Sequence, residues 1–62
     1  MNIKKIRTSK KLSLRALARR ANLTPAYISQ LENGTKTNPT RQTLEKLAKA
    51  LGVAVSELLT DL

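Results

Sequence analysis

The stretch from Leu14 to Asn33 constrains this chain more than any other, because its small, turn-forming and apolar residues fall where two short helices must cross closely. Leu17, Ala18 and Ala21 recur at helical spacing on one face, and Ala18 is small enough for a second helix to lie almost against its backbone. Asn22 tolerates the left-handed conformation with which helices end sharply, and Leu23 then tucks an apolar side chain under the turn. Thr24-Pro25 reopens a helix, with a hydroxyl N-cap followed by a proline where no intrahelical N–H is needed. The second helix buries Ile28 and Leu31. A rotation of about 100° per residue from that pair points Ala26, Ser29, Gln30 and Asn33 outward, with Pro25 and Tyr27 on the flanks. A merely solvated helix would carry Lys and Glu there, so this helix-turn-helix pattern points to DNA.

Charge sharpens the reading. Residues 1–31 carry Lys4, Lys5, Arg7, Lys10, Lys11, Arg15, Arg19 and Arg20 with no acidic residue, whereas in residues 32–62 Lys36, Arg41, Lys46 and Lys49 are cancelled by Glu32, Glu45, Glu57 and Asp61. The whole formal net charge of +8 is thus a property of the first half. Such asymmetry suits one face turned to a polyanion and another to a partner or a second copy, although solubility alone is the plainer explanation of scattered charge.

The remaining elements follow from caps and periodicity. Helix 1 is expected over Ile3–Lys10, with Ile3 and Ile6 inward; helix 2 is capped by Ser13 and runs to about Ala21; helix 3 is capped by Thr24 and runs to about Asn33, stopping at Gly34. After a polar loop, Thr40 caps helix 4, where Leu44, Leu47, Ala48 and Leu51 form an i, i+3, i+4, i+7 stripe ended by Gly52. Ser56 is expected to cap a last short helix holding Leu58 and Leu59. The fold class is therefore all-α, five short helices in one domain over residues 1–62. The core is aliphatic: Ile3, Ile6, Leu12, Leu17, Leu23, Ile28, Leu31, Leu44, Leu47, Leu51, Val55, Leu58 and Leu59. With no cysteine or histidine, neither a disulfide nor a Cys/His zinc site staples it. No apolar run approaches the roughly 20 residues of a membrane span and no signal-peptide core is present, so a cytoplasmic, nucleoid-associated protein is expected.

The run Leu12-Ser13, Leu17-Ala18, Ile28-Ser29, Leu31-Glu32-Asn33-Gly34, Asn38-Pro39-Thr40, Leu44, Leu47-Ala48, Ala50-Leu51-Gly52-Val53 and Glu57-Leu58-Leu59 resembles the Cro/CI-type (XRE) family over nearly the whole chain. Tyr27-Ile28-Ser29 with Thr37-Asn38-Pro39 is similar to SinR-like repressors in particular. The resemblance implies a lambda-repressor-like bundle with the third helix as recognition helix, and a transcriptional repressor that binds its operator as a two-fold pair. It also implies a salt bridge between Arg7 in helix 1 and Glu32, which would aim Arg7 at the phosphates.

On DNA, the recognition helix would read base edges in the major groove, where each base pair displays a distinct donor and acceptor pattern. Gln30 is the best reader, since its amide can bond bidentately to adenine N6 and N7; Ser29 donates or accepts, Ala26 packs on a thymine methyl, and Tyr27 offers a ring and a hydroxyl. Pro25 departs from the polar residues many family members place there, so it reads by apolar contact or not at all. Solvated surface remains the alternative for Ser29 and Gln30, and packing on helix 2 the alternative for Tyr27. Ser13 and the amides opening helix 2 can hold a phosphate. Leu14 replaces the glutamine with which much of the family grips it, leaving Arg15 or backbone amides for that role. Asn33, Thr35, Lys36, Thr37, Asn38 and Arg41 form the other expected phosphate contact. Lys4, Lys5, Lys46 and Lys49 read as solvated charges.

An enzyme is hard to build from this inventory: there is no His or Cys, the four acidic residues are far apart in sequence, and neither Gly34 nor Gly52 sits in a phosphate-binding loop pattern. No metal or other cofactor is implied. The expected partners are a double-stranded DNA operator and a second copy of the chain, at least on DNA. One competing class is a protein-interaction module of the same fold, an antitoxin or coactivator, whose contact surface would include Val53, Val55, Leu58, Leu59 and Leu62; another is sequence-blind binding of RNA or membrane by positive charge alone.

Overall fold

A computed structural model describes residues 1–59 of the chain. Its helices are α1 (Ile3–Ser9), α2 (Leu14–Ala21), α3 (Pro25–Glu32), α4 (Arg41–Leu51) and α5 (Val55–Leu59), with no strand among the described residues. The caps do what the sequence anticipates. Ser13 Oγ accepts from Ala16 N, Thr24 Oγ1 from Tyr27 N and Thr40 Oγ1 from Thr43 N, each at 3.1 Å. Each satisfies one of the N–H groups that a helix start leaves without a partner.

Three helices end in one way. Asn22 (φ 57°) closes α2 with Leu23 N–H donating to Ala18 O at 2.9 Å, and Gly52 (φ 72°) closes α4 with Val53 N–H donating to Ala48 O at 3.0 Å. Both are Schellman endings, in which a left-handed residue turns the chain and the next, apolar residue folds back under the helix. α1 ends likewise, but its left-handed residue is Lys11 (φ 57°), with Leu12 N–H donating to Arg7 O at 3.1 Å. This turn stops the helix at Ser9, one residue short of the expected Lys10. α3 also stops one residue early, at Glu32, although Asn33 N–H still donates to Ser29 O.

The core is formed by Ile3, Leu17, Ala18, Ala21, Ile28, Leu31, Leu47, Ala48, Leu51 and Leu58. α2 lies at its centre, packed on α3 through one side and α4 through another, while α5 covers α4 and α1 covers α3. Ile6, Leu12, Leu23, Leu44 and Val55 sit half-buried at the rim of this cluster.

The last helix departs from expectation in two respects. It begins at Val55, so Ser56 lies inside its first turn and does not cap it. Starting there places Val55 and Leu58 at i, i+3, on one face toward the core. Leu59, about 100° on from Leu58, falls at the outer edge of that face beside half-buried Val55, and it is 53% exposed while Leu58 is fully buried. Leu59 is therefore not a core residue, and Leu58 is not available as a contact surface. Leu62, the other expected contact there, lies outside the described residues. Asn2 ties this end to α1, its N–H donating to Leu58 O at 2.9 Å and its Nδ2 to Glu57 O at 3.3 Å. No helix of the described residues is long and apolar enough to cross a membrane.

Candidate nucleic-acid interface

α3 presents its outward face as the periodicity requires. Ile28 and Leu31 are buried, Pro25 and Ala26 are exposed, and Ser29 and Gln30 are half-exposed between them. Proline at the start of the helix has no N–H of its own to leave unpaired and fixes the entry of the chain, so this face starts on a rigid end. Tyr27 combines its two sequence readings. Its ring is half-buried against the core, and Lys36 Nζ sits 5.9 Å from the ring centroid, within the range of a cation–π contact. Sequence reasoning missed this pairing because nothing in the spacing of residues 27 and 36 announces it. The link is Lys36 N–H donating to Gln30 O at 3.0 Å, which folds the loop back onto α3.

That loop is ordered by its own side chains. Asn33 Oδ1 accepts from Thr35 N at 3.0 Å and from Thr35 Oγ1 at 2.6 Å, closing a short turn after the helix. The turn uses the Asn33 carbonyl oxygen and leaves the Asn33 amide nitrogen as a donor. Lys36, Thr37 and Asn38 are exposed along the same loop. Arg41 opens α4 and is 93% exposed even though its Nε lies 3.4 Å from Glu45 Oε1. Ser13 and Arg15, at the start of α2, are exposed as well; the Ser13 oxygen accepts the capping bond, and its hydroxyl proton is still available to donate. Donors thus come from two places, the opening of α2 and the loop that leads into α4, with the outward face of α3 carrying the base-reading candidates.

Arg7 has a different position from these groups. Its Nε donates to Glu32 Oε2 at 2.7 Å and one terminal nitrogen donates to Glu32 Oε1 at 3.2 Å, while the other donates to Leu12 O at 2.8 Å. The pair is bidentate and nearly enclosed, with side chains 12% and 8% exposed. Each of the three nitrogens donates one bond to a protein acceptor, so Arg7 acts as a clamp within the domain, and one further N–H on each terminal nitrogen remains as a donor. It fastens the end of α3 to α1 and holds the Lys11 turn closed through the Leu12 carbonyl.

The lysines that read as solvated charges separate into two groups. Lys46 and Lys49 line a groove together with Arg20, although 26 residues or more separate them in the chain. Lys4 and Lys5 lie exposed on α1. Among the described residues no group of His, Cys, Asp or Glu could hold a metal ion.

The fold agrees with that of known proteins. A helix-turn-helix family model matches residues 3–58. The HTH-type transcriptional regulator SinR of Bacillus licheniformis is 41% identical over 59 residues, 95% of this chain and 53% of SinR. The immunity repressor protein of Bacillus phage phi105 is 42% identical over 59 residues, 95% of this chain and 40% of the repressor. The chain therefore spans about half the length of the curated relatives it matches. The crystal structure of SinR, the master regulator for biofilm formation, in complex with DNA superposes with a TM-score of 0.90 at 41% identity, over 95% of this chain and 94% of that one. The chain belongs to the helix-turn-helix family of the Cro/CI (XRE) type and is SinR-like within it.

Proposed function

We propose that this chain is a sequence-specific regulator of transcription, a repressor that binds double-stranded DNA through the major groove. The observation that carries the reading is the outward face of α3: Pro25, Ala26, Ser29 and Gln30 stand on a helix fixed at both ends, flanked by the Ser13–Arg15 donors and by the loop from Asn33 to Arg41. The resemblance of the frame to the SinR chain solved on DNA supports it. In this reading Gln30 and Ser29 read base edges, Ala26 and Pro25 make apolar contacts with thymine methyls, and Tyr27 is held at the rim of the groove by Lys36. Ser13, Arg15, Asn33, Thr35, Lys36, Thr37, Asn38 and Arg41 fix register through the phosphates.

One such domain reads too few base pairs to find a single site in a genome, so two copies act together, at least on DNA. A two-fold pair puts its recognition helices about 34 Å apart, one DNA turn, and makes the operator a near-palindrome. The exposed Leu59, with half-buried Val53 and Val55 on the same part of the chain, is the apolar surface offered for that pairing. Residence with the nucleoid in the cytoplasm follows from the same reading.

The test is selection of bound oligonucleotides from a random pool, followed by gel-shift stoichiometry and a salt titration. A pair neutralising about four phosphates per copy gives a slope of log affinity against log salt of roughly −7. A slope near zero, or a duplex that leaves the Ala26, Ser29 and Gln30 amide resonances in place, overturns the proposal. Loss of the two-copy complex in Leu59→Glu, with one-copy binding retained, is expected if pairing uses that surface.

A further inference from the structure

The groove lined by Arg20, Ala21, Asn22, Lys46, Lys49 and Ala50 has no role in the function proposed above. It has a volume of about 560 Å³ and lies between the C-terminal ends of α2 and α4. Its origin is the residue size at the crossing: Ala21 is almost fully buried beneath the groove and Ala50 is half-buried, so the floor is shallow and the methyl it offers is that of Ala50. The walls are cationic. Arg20 stands on the α2 side, and Lys46 and Lys49 stand one turn apart on the α4 side, all three exposed and none ion-paired among the described residues. The nearest carboxylate in sequence, Glu45, turns to Arg41. A methyl floor between two cationic walls is complementary to a chain with apolar side chains along one stripe and carboxylates on both flanks.

We propose that this groove docks an acidic amphipathic helix of a protein partner. A small free anion fits poorly, because no buried donor aims into the groove and three exposed cations by themselves hold such an ion weakly. A nucleic-acid backbone satisfies the cationic walls but has nothing to set on the methyl floor. The groove also lies along both helices away from the ends proposed for phosphate contact, about 10 Å along α2 from Leu14 and about 8 to 14 Å along α4 from Arg41. A helix laid in the groove places residues of i, i+3 and i+4 spacing over Ala50 along the floor, and its flanking carboxylates meet Arg20 on one side and Lys46 and Lys49 on the other. Charges at such a rim steer association and set its orientation, while the apolar stripe supplies specificity against other acidic chains. Partner binding and DNA binding would then use separate surfaces of a single small domain.

The experiment titrates the isotope-labelled protein with a synthetic peptide of about 15 residues, long enough to be marginally helical, with a leucine stripe and glutamate flanks. A peptide of the same composition with the stripe scrambled and a short DNA duplex serve as the other arms. The striped peptide is expected to shift the amides of Arg20, Asn22, Lys46, Lys49 and Ala50, and the scrambled peptide is expected to bind about tenfold or more weakly. The triple change R20E/K46E/K49E, at exposed positions and checked for an unchanged circular dichroism spectrum, is expected to weaken the striped peptide by about tenfold or more. Equal binding of the two peptides, or shifts confined to other surfaces, overturns the proposal. A duplex that perturbs the groove amides as strongly as the peptide assigns the groove to nucleic acid instead and also overturns it. The peptide arm reads the groove whether or not the duplex binds, so failure here and failure of the DNA-binding reading are separable.

Discussion

The front half of the molecule, α1 to α3, and the back half, α4 and α5, are capped and turned by the same devices but tied down by different forces. In front, the Arg7–Glu32 pair is bidentate, nearly enclosed and spans 25 residues of sequence, joining both ends of the unit that carries the outward face of α3. Behind, the Arg41–Glu45 pair is one helical turn long and open to solvent, with side chains 93% and 60% exposed. There the last helix is held by one fully buried leucine and two bonds from Asn2. A basic front that must keep its shape against its own charge uses a directional, hydrogen-bonded lock. The neutral back can rely on apolar packing, which leaves Leu59 outside for contact.

The largest effect that could break this contrast is in the back half. Leu58→Ala removes a side chain with no exposed surface and should cost roughly 2–5 kcal/mol, comparable to the whole stability of so short a chain. Leu59→Ala, one position on, should stay within about 0.5 kcal/mol. Urea denaturation of both variants is the check. If the two changes cost the same, α5 does not sit as described.

Next comes the front lock. Glu32→Ala leaves the Arg7 guanidinium facing a lost carboxylate and should cost about 3 kcal/mol, at the low end for a buried pair because a little of each side chain still reaches water. Binding to a selected duplex should fall with it, since the end of α3 and the Lys11 turn lose their common anchor. A double-mutant cycle with Arg7→Leu separates this coupling from simple loss of packing. Additive costs would mean that the two residues do not act as a unit.

How far each half was legible in the sequence follows the range of the forces involved. Ser13, Thr24 and Thr40 announce caps within three residues of themselves, and Asn22 and Gly52 announce their own turns, so α2, α3 and α4 could be read almost to the residue. α5 could not, because its start is chosen by which of Val55, Leu58 and Leu59 the rest of the core accepts, and Ser56 offered a local cap that the packing overrode. The outward face of α3 was legible from periodicity alone, whereas the contact of Lys36 with Tyr27 and the gathering of Arg20 with Lys46 and Lys49 depend on the loop path and on the α2–α4 crossing. Lys11 is the clearest omission. Nothing marks a lysine as a left-handed residue, and it adopts φ 57° because Leu12 and the Arg7 clamp close the turn around it. Lys11→Gly relieves that backbone cost and should raise stability by about 0.5–1 kcal/mol, visible as a higher denaturation midpoint. A loss of stability would show that the lysine side chain contributes something there besides conformation.

The smallest effect tests the back half's open pair and links it to the proposed interface. Breaking Arg41–Glu45 by Glu45→Gln should change stability by less than about 0.5 kcal/mol, because an exposed i, i+4 pair gains little beyond what water already supplies. Its consequence for DNA has the opposite sign to that of Glu32→Ala. If Arg41 meets phosphate as proposed, Glu45 competes for it, and removing the carboxylate frees one cation at the start of α4 and deletes one repelled charge, so duplex affinity should rise, most at low salt where surface charge is least screened. On that outcome the two glutamates would differ in kind: one builds the surface proposed to meet DNA, and the other restrains a cation on it. Should Glu45→Gln weaken binding instead, Arg41 would need its partner for orientation, and the back half would hold its phosphate contact by the same kind of lock as the front.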